Sequence, residues 1–314
     1  MASVAVIGAG AWGTALAIYA NRAGHDVVLW ARNPAAIPSS RESPRLPDHV
    51  IPRTVRLAGT LPTQADAVLL AVPIRYLRAA FGIGLPAGPL VLCSKGLDGG
   101  LFPLEIAAEH RPDVPAAVLT GPNFAHEVAT GLPAAAVVAS DDPDLRATLV
   151  GLLGTPAFRL YGGSDPVGAQ VGGAAKNVVA IAAGAAIGAG FGENARAALV
   201  TRGLAEVGRL ALALGGRAET VAGLSGLGDL LLTCTGPASR NFRLGLALGQ
   251  GGDPATLLAG STHAVEGVAA ASALLLRAPE VDLPVIATVA ALLDGSVGID
   301  GAMMRLLSRP GRDE

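Results

Sequence analysis

A chain of 314 residues has room for two domains with ample core, since single domains usually run to about 100–200 residues. With 51% hydrophobic and only 15% charged residues and a formal net charge of -2, it presents no basic field for nucleic acid or an acidic membrane. Small anionic ligands must therefore be held locally. The uncharged candidate for a membrane span, Asn177 to Gly192, is shorter than the roughly 20 apolar residues such a span needs, is mostly Ala and Gly, and reads as a buried helix. Met1 to Val4 run into an apolar strand without a basic leader, which leads to the expectation of a cytoplasmic protein. Cys93 and Cys234 show no metal or redox spacing, so no metal site is expected.

Ser3 to Ile7 is a β-rich run that meets GAGAWG at 8–13; a helix is expected over Thr14 to Ala23 and a second strand over Asp26 to Trp30. This is the strand, glycine turn, helix, strand order of a dinucleotide fold. Gly8 permits the tight turn, Gly10 lets the backbone approach a pyrophosphate, and Gly13 lets helix pack on strand, while the helix N-terminus faces the phosphates. The second strand ends Ala31-Arg32-Asn33 instead of in the acid that usually bonds the ribose hydroxyls. Arg32 thus favours NADP, with NAD also usable, against the alternative of a solvated arginine.

The segment from Pro34 to Pro62 is rich in Pro, Arg and Ser and reads as a surface excursion with one strand-like piece at Thr54 to Leu57. Strand and helix then alternate. Strands are expected at Ala67 to Val72, Pro89 to Cys93, Ala116 to Thr120, Ala134 to Ala139 and Phe158 to Tyr161, with helices near Ile74 to Phe81 and Leu101 to His110. Such repetition implies a doubly wound parallel sheet whose ligands bind beyond the strands' C-terminal ends. Those ends carry Val72-Pro73, Ser94-Lys95-Gly96 and Gly121-Pro122-Asn123-Phe124, which should share a rim. His126 and Glu127 are adjacent on a helix and do not face each other, so they read as a surface pair.

From Asp165 onward strand patterning stops, and runs of helical length follow at about 166–189, 192–214, 237–249, 263–277, 283–293 and 300–308. The fold class is therefore α/β, a Rossmann-type domain over 1–164 followed by an all-helical domain over 165–314. Of 23 basic residues only Lys95 and Lys176 are lysines. Arginine cannot serve as a base, whereas a lysine in an apolar pocket can lose its proton; the alternative is chance in an arginine-biased composition. Lys176 lies in Gly172-Gly173-Ala174-Ala175-Lys176-Asn177, and the two glycines are expected to let the start of that helix approach a ligand closely. Asp229, in the apolar turn GLSGLGDL, needs a partner if buried, with Lys176 one candidate. Ser239, Arg240 and Asn241 bring a hydroxyl, a planar cation and an amide to a helix start, suited to phosphate, or alternatively form an N-cap beside a surface arginine.

Together these motifs resemble the bacterial NAD(P)-dependent glycerol-3-phosphate dehydrogenases: GAGAWGTALA, SKGL, GPNFAHEV, VGGAAKNVVAIAAG, NARAALVTRGLAE, GLGDLLLTCT, SRN and VEG occur in order over most of the chain. The resemblance implies that Lys176 is the proton acceptor in glycerol 3-phosphate oxidation, with Lys95 and Asp229 beside it in the catalytic set. It implies substrate contact by Lys95, Gly121, Asn123, Asp229, Ser239, Arg240 and Asn241. Gly8, Gly10, Ala11, Trp12, Gly13, Arg32, Lys95, Ala125, Arg240 and Glu266 are implied in cofactor contact. A homodimer is implied by resemblance only. Ala11 stands where the family often has Ser, Asn123 where it has Ser or Thr, Ile74 where it has Ser, and Ala264-Val265 where it has two valines.

The implied reaction is reduction of dihydroxyacetone phosphate to sn-glycerol 3-phosphate, for glycerophospholipid synthesis. Two other readings stay open: a β-hydroxy acid dehydrogenase of related architecture, against which Ala180 stands where those relatives place Asn, and a non-catalytic NADP-binding sensor.

Overall fold

The computed structural model describes residues 1–259 and 266–307. The chain forms two compact units, Met1–Ala169 and Gln170–Glu314.

In the first unit eight strands form one sheet in the order β10-β9-β8-β7-β6-β1-β2-β5. These are β1 (Ser3–Ile7), β2 (Asp26–Trp30), β5 (Arg56–Ala58), β6 (Ala67–Leu70), β7 (Leu90–Leu92), β8 (Ala116–Thr120), β9 (Ala134–Ala139) and β10 (Phe158–Gly163). A separate hairpin is formed by β3 (Glu42–Ser43) and β4 (Leu46–Val50). Successive strand residues point to opposite faces, and the two cores follow that alternation. Val4, Val6, Val27, Leu29 and Leu69 share one buried cluster; Ala5, Ile7, Val68, Leu70 and Leu92 share another. Both faces are covered by α1 (Ala11–Arg22), α2 (Leu77–Phe81), α3 (Pro103–His110), α4 (Ala125–Thr130) and α5 (Pro143–Leu153), which is why the strands read as continuous apolar runs.

One pair departs from the expected all-parallel sheet, because β8 and β9 run antiparallel. Their connection contains the six-residue α4. From β9 to β10 the eleven-residue α5 spans about 16 Å, and that pair is parallel. The segment after β2 is more ordered than a surface excursion. Its hairpin puts Leu46 into an apolar cluster with Ala15, Ile18 and Ala129, against which Trp12 and Ala125 pack. Arg41 (φ 63°) ties the segment down by donating to the carbonyls of Ile51, Pro52 and Val55.

The second unit is helical among its described residues. α6 (Pro166–Gly188) starts at the end of the first unit and continues through the second, followed by α7 (Gly192–Ala213), α8 (Ala218–Ala222), α9 (Asp229–Cys234), α10 (Arg240–Gly249), α11 (Pro254–Ala259), α12 (Glu266–Arg277), α13 (Pro284–Leu293) and α14 (Ile299–Leu307). A π-helical turn, Leu224–Gly228, leads into α9. The first residues of the expected 263–277 helix, Ala264 and Val265 among them, and the last of 300–308 lie outside the described residues. α6 is long and apolar enough to cross a membrane, but 83% of its apolar window is buried inside the protein. On α7, Glu206 is 1% exposed and accepts from Val285 N (2.7 Å) and Ile286 N (3.1 Å). It thereby caps α13 from a neighbouring helix.

Candidate active site

The glycine turn of the first unit is spatially resolved into three jobs. Gly8 has φ +111°, and a Cβ there would lie 2.8 Å from the Ala71 carbonyl oxygen. At Gly13 a Cβ would lie 1.9 Å from the Gly8 carbonyl oxygen, so only glycine lets α1 sit this close to the turn. Around Gly10 nothing lies within 4 Å of such a Cβ, and no side chain caps the helix that starts at Ala11. Uncapped N–H groups beside an open backbone fit a pyrophosphate, so the turn suits a dinucleotide.

The other first-unit residues singled out by sequence distribute along the strand ends. Trp12 and Ala125 pack in the cluster with Leu46. Arg32, just past β2, is exposed. Lys95 follows β7, is partly buried, and donates from Nζ to the Gly121 carbonyl oxygen at 3.2 Å. Gly121 has φ +141°. Asn123 donates from Nδ2 to the Ala135 carbonyl oxygen at 2.9 Å. Two buried oxygens at this rim, Thr120 Oγ1 and Asn123 Oδ1, have no partner among the described residues. Buried polar atoms are normally paired, so this rim retains unused hydrogen-bonding capacity. His126 is exposed and Glu127 half-buried, 4.0 Å apart.

In the helical unit the polar centre is compact. Lys176 on α6 donates from Nζ to Asp229 Oδ1 at 2.5 Å and to Thr233 Oγ1 at 3.0 Å. Thr233, one helical turn after Asp229 on α9, in turn donates to the Asp229 carbonyl oxygen at 2.6 Å. The side chain of Lys176 is 11% exposed and that of Asp229 1%. A buried ion pair of this kind is held by its extra hydrogen bonds as much as by Coulomb attraction. Thr233 was missed from sequence, although its spacing from Asp229 puts both on one helix face.

A second network adjoins it. Asn177 Oδ1 accepts from Asn241 Nδ2 at 2.9 Å, and Asn241 Oδ1 accepts from Gly267 N at 3.2 Å. Glu266 opens α12 directly before that glycine. Ser239 is the N-cap of α10, accepting from Phe242 N at 3.2 Å, which is the alternative reading of the sequence, and its hydroxyl keeps a proton to donate. Arg240 is exposed. The glycines before Lys176 do not sit at a helix start: α6 begins at Pro166. A Cβ on Gly172 would lie 2.7 Å from the Ser225 carbonyl oxygen, so its clearance serves packing of the π-helical turn that presents Asp229. Both cysteines are buried, and burial pushes both thiols up to about 12.

A dinucleotide-type α/β unit joined to a helical unit with a buried lysine, carboxylate and amides defines a nicotinamide-dependent dehydrogenase. The model of the NAD-dependent glycerol-3-phosphate dehydrogenase N-terminus matches residues 3–146, and that of the C-terminus matches residues 165–304. The chain is 55% identical to glycerol-3-phosphate dehydrogenase (NAD(P)+) of Acidiphilium cryptum, covering 99% of this chain and 98% of that protein. Its identity to the Gluconobacter oxydans protein of the same name is 52%, over 98% and 97%. The crystal structure of glycerol-3-phosphate dehydrogenase from Coxiella burnetii superposes with a TM-score of 0.91 at 34% identity, over 98% and 99% of the two chains. This chain belongs to the NAD-dependent glycerol-3-phosphate dehydrogenase family.

Proposed function

We propose that the protein reduces dihydroxyacetone phosphate to sn-glycerol 3-phosphate with NADPH or NADH, NADPH being preferred, and that the product feeds glycerophospholipid synthesis. The reading is carried by one observation: a nearly buried lysine, held by Asp229 and Thr233, in a family that acts on glycerol 3-phosphate.

Gly8, Gly10, Ala11, Trp12 and Gly13 would hold the dinucleotide, with Arg32 at the adenosine ribose and Lys95, Ala125, Arg240 and Glu266 contributing further contacts. When bound, the reduced nicotinamide supplies the hydride. The chain's own task is then to place the substrate carbonyl and to neutralise the alkoxide that develops at C2. Lys176 does this by donating a proton from Nζ. In the reverse direction neutral Lys176 takes the hydroxyl proton. Asp229 keeps the lysine charged for reduction and fixes its rotamer, while Thr233 holds the ammonium from a second side.

Lys95, Gly121 and Asn123 are assigned to the substrate from the first unit, and Ser239, Arg240 and Asn241 to its phosphate. The N-terminus of α10 supports the latter, since helix N–H groups, a hydroxyl and a guanidinium all favour a dianion. Binding energy from a phosphate remote from C2 can be spent on holding the reacting carbon in place.

The test is oxidation of NADPH and NADH followed in turn with dihydroxyacetone phosphate and with 3-oxo acids. Turnover with dihydroxyacetone phosphate alone is expected. Turnover with 3-oxo acids instead would favour a β-hydroxy acid dehydrogenase, and cofactor binding without any turnover would favour a sensor.

A further inference from the structure

We infer that a four-glycine contact between α6 and α10 sets the separation between the proton-carrying lysine and the phosphate-binding helix end, making Gly184, Gly188, Gly245 and Gly249 positioning residues. This rests on the roles proposed above for Lys176 and for Ser239, Arg240 and Asn241.

The two helices run parallel and in a constant register. Asn177 bonds Asn241; one turn on, Gly245 lies against Ile181, and a further turn on, Gly249 lies against Ala185. A Cβ on Gly245 would sit 2.0 Å from the Ile181 carbonyl oxygen, and one on Gly249 2.2 Å from that of Ala185. From the opposite helix, a Cβ on Gly184 would sit 2.1 Å from the Phe242 carbonyl oxygen and one on Gly188 2.1 Å from that of Leu246. Real Cβ atoms essentially never come within 3.0 Å. Every obstruction is backbone, so no side chain can yield to make room. Glycine is a poor helix residue, and its use at four facing positions is accounted for by this approach of one helix axis to the other.

The consequence is geometric. The contact begins one turn beyond Lys176-Asn177 on α6 and one turn beyond Asn241 on α10, directly behind the groups that handle the proton and the phosphate. Asp229 and Thr233, which hold Lys176, lie on α9 and take no part in it. Widening the contact therefore moves the phosphate end of α10 away from Lys176 while leaving the lysine's own bonds in place. Relieving one such overlap asks the axes to part by about 1 Å, and a displacement of about 1 Å can cost about 10²-fold in rate.

The experiment compares Gly245→Ala and Gly184→Ala with the parent enzyme. It measures kcat/KM for dihydroxyacetone phosphate, the inhibition constant of inorganic phosphate competing with that substrate, KM for NADPH, and Tm. Inorganic phosphate needs only the α10 end, whereas the substrate must reach both ends. The expected result is a loss of about 10- to 100-fold in kcat/KM with phosphate inhibition unchanged. A fall in Tm with kcat/KM unchanged would make the contact a packing feature only and would overturn the inference. Unchanged kcat/KM, or an equal weakening of phosphate and substrate, would overturn the inference. Should these variants not fold, Gly249→Ala, further from the site, carries the same expectation at smaller amplitude. If phosphate fails to compete with substrate in the parent enzyme, the assignment of the α10 end is what fails, and the positioning role falls with it.

Discussion

Lys176 Nζ and Asp229 Oδ1 lie 2.5 Å apart with the carboxylate almost wholly buried, so each of the two charges depends on the other. In Asp229→Asn the ammonium loses its counter-charge, which favours the neutral lysine. Reduction of dihydroxyacetone phosphate needs the charged form, so kcat should fall in this variant. Removing one partner of a buried pair also costs stability, about 3–5 kcal/mol where the remaining charge stays buried. The kcat of reduction and a urea denaturation curve measure the two effects separately.

Much of this pair's setting was legible in the sequence and some was not. The two lysines stood out by scarcity, the glycine turn by its position between two strands, and Asp229 by its apolar surroundings. Thr233 did not stand out, because a threonine in an apolar helix signals nothing until its neighbour one turn earlier is known to be buried. The hairpin β3–β4 was hidden for a different reason: its strands are short, and Leu46 is its one side chain in the apolar cluster that holds Trp12, so no alternation was available to read. The antiparallel direction of β9 carried no signal in its apolar run Ala134–Ala139, which reads the same in either direction.

Gly10 and Gly13 should respond differently to the same added methyl. Gly10→Ala meets nothing within 4 Å, so Tm should stay unchanged while the affinity for NADPH falls, because the pyrophosphate needs that space. Gly13→Ala drives a Cβ into the Gly8 carbonyl and should destabilise the fold by about 1–3 kcal/mol or more. Differential scanning calorimetry and cofactor titration distinguish the two.

Arg32 follows β2 where an acid would select NAD. A hydrogen bond to a charged group is worth about 1.5–3 kcal/mol, so Arg32→Ala should lose about 10- to 100-fold in kcat/KM with NADPH and little with NADH. Equal losses with both cofactors would remove Arg32 from the 2′-phosphate.

Glu206 caps α13 while buried, and burial, opposed by the two backbone N–H bonds, pushes its carboxyl up to about 7. A folded-state value above the unfolded one means that the folded protein holds the proton more tightly. The associated stabilisation is full below the unfolded value of about 4.3 and is lost as pH rises through about 7. Unfolding free energy should therefore decline by up to about 3 kcal/mol between pH 5 and pH 8 on account of this residue. Glu206→Gln should flatten that decline while keeping one of the two capping bonds.

The central claim is that Lys176 carries the proton, and Lys176→Arg tests it most directly, because the charge stays and the transferable proton does not. The measurement is kcat for dihydroxyacetone phosphate reduction alongside the dissociation constant of NADPH. We predict a loss of about 10²- to 10⁴-fold in kcat with cofactor affinity unchanged; turnover close to that of the parent enzyme would contradict the account.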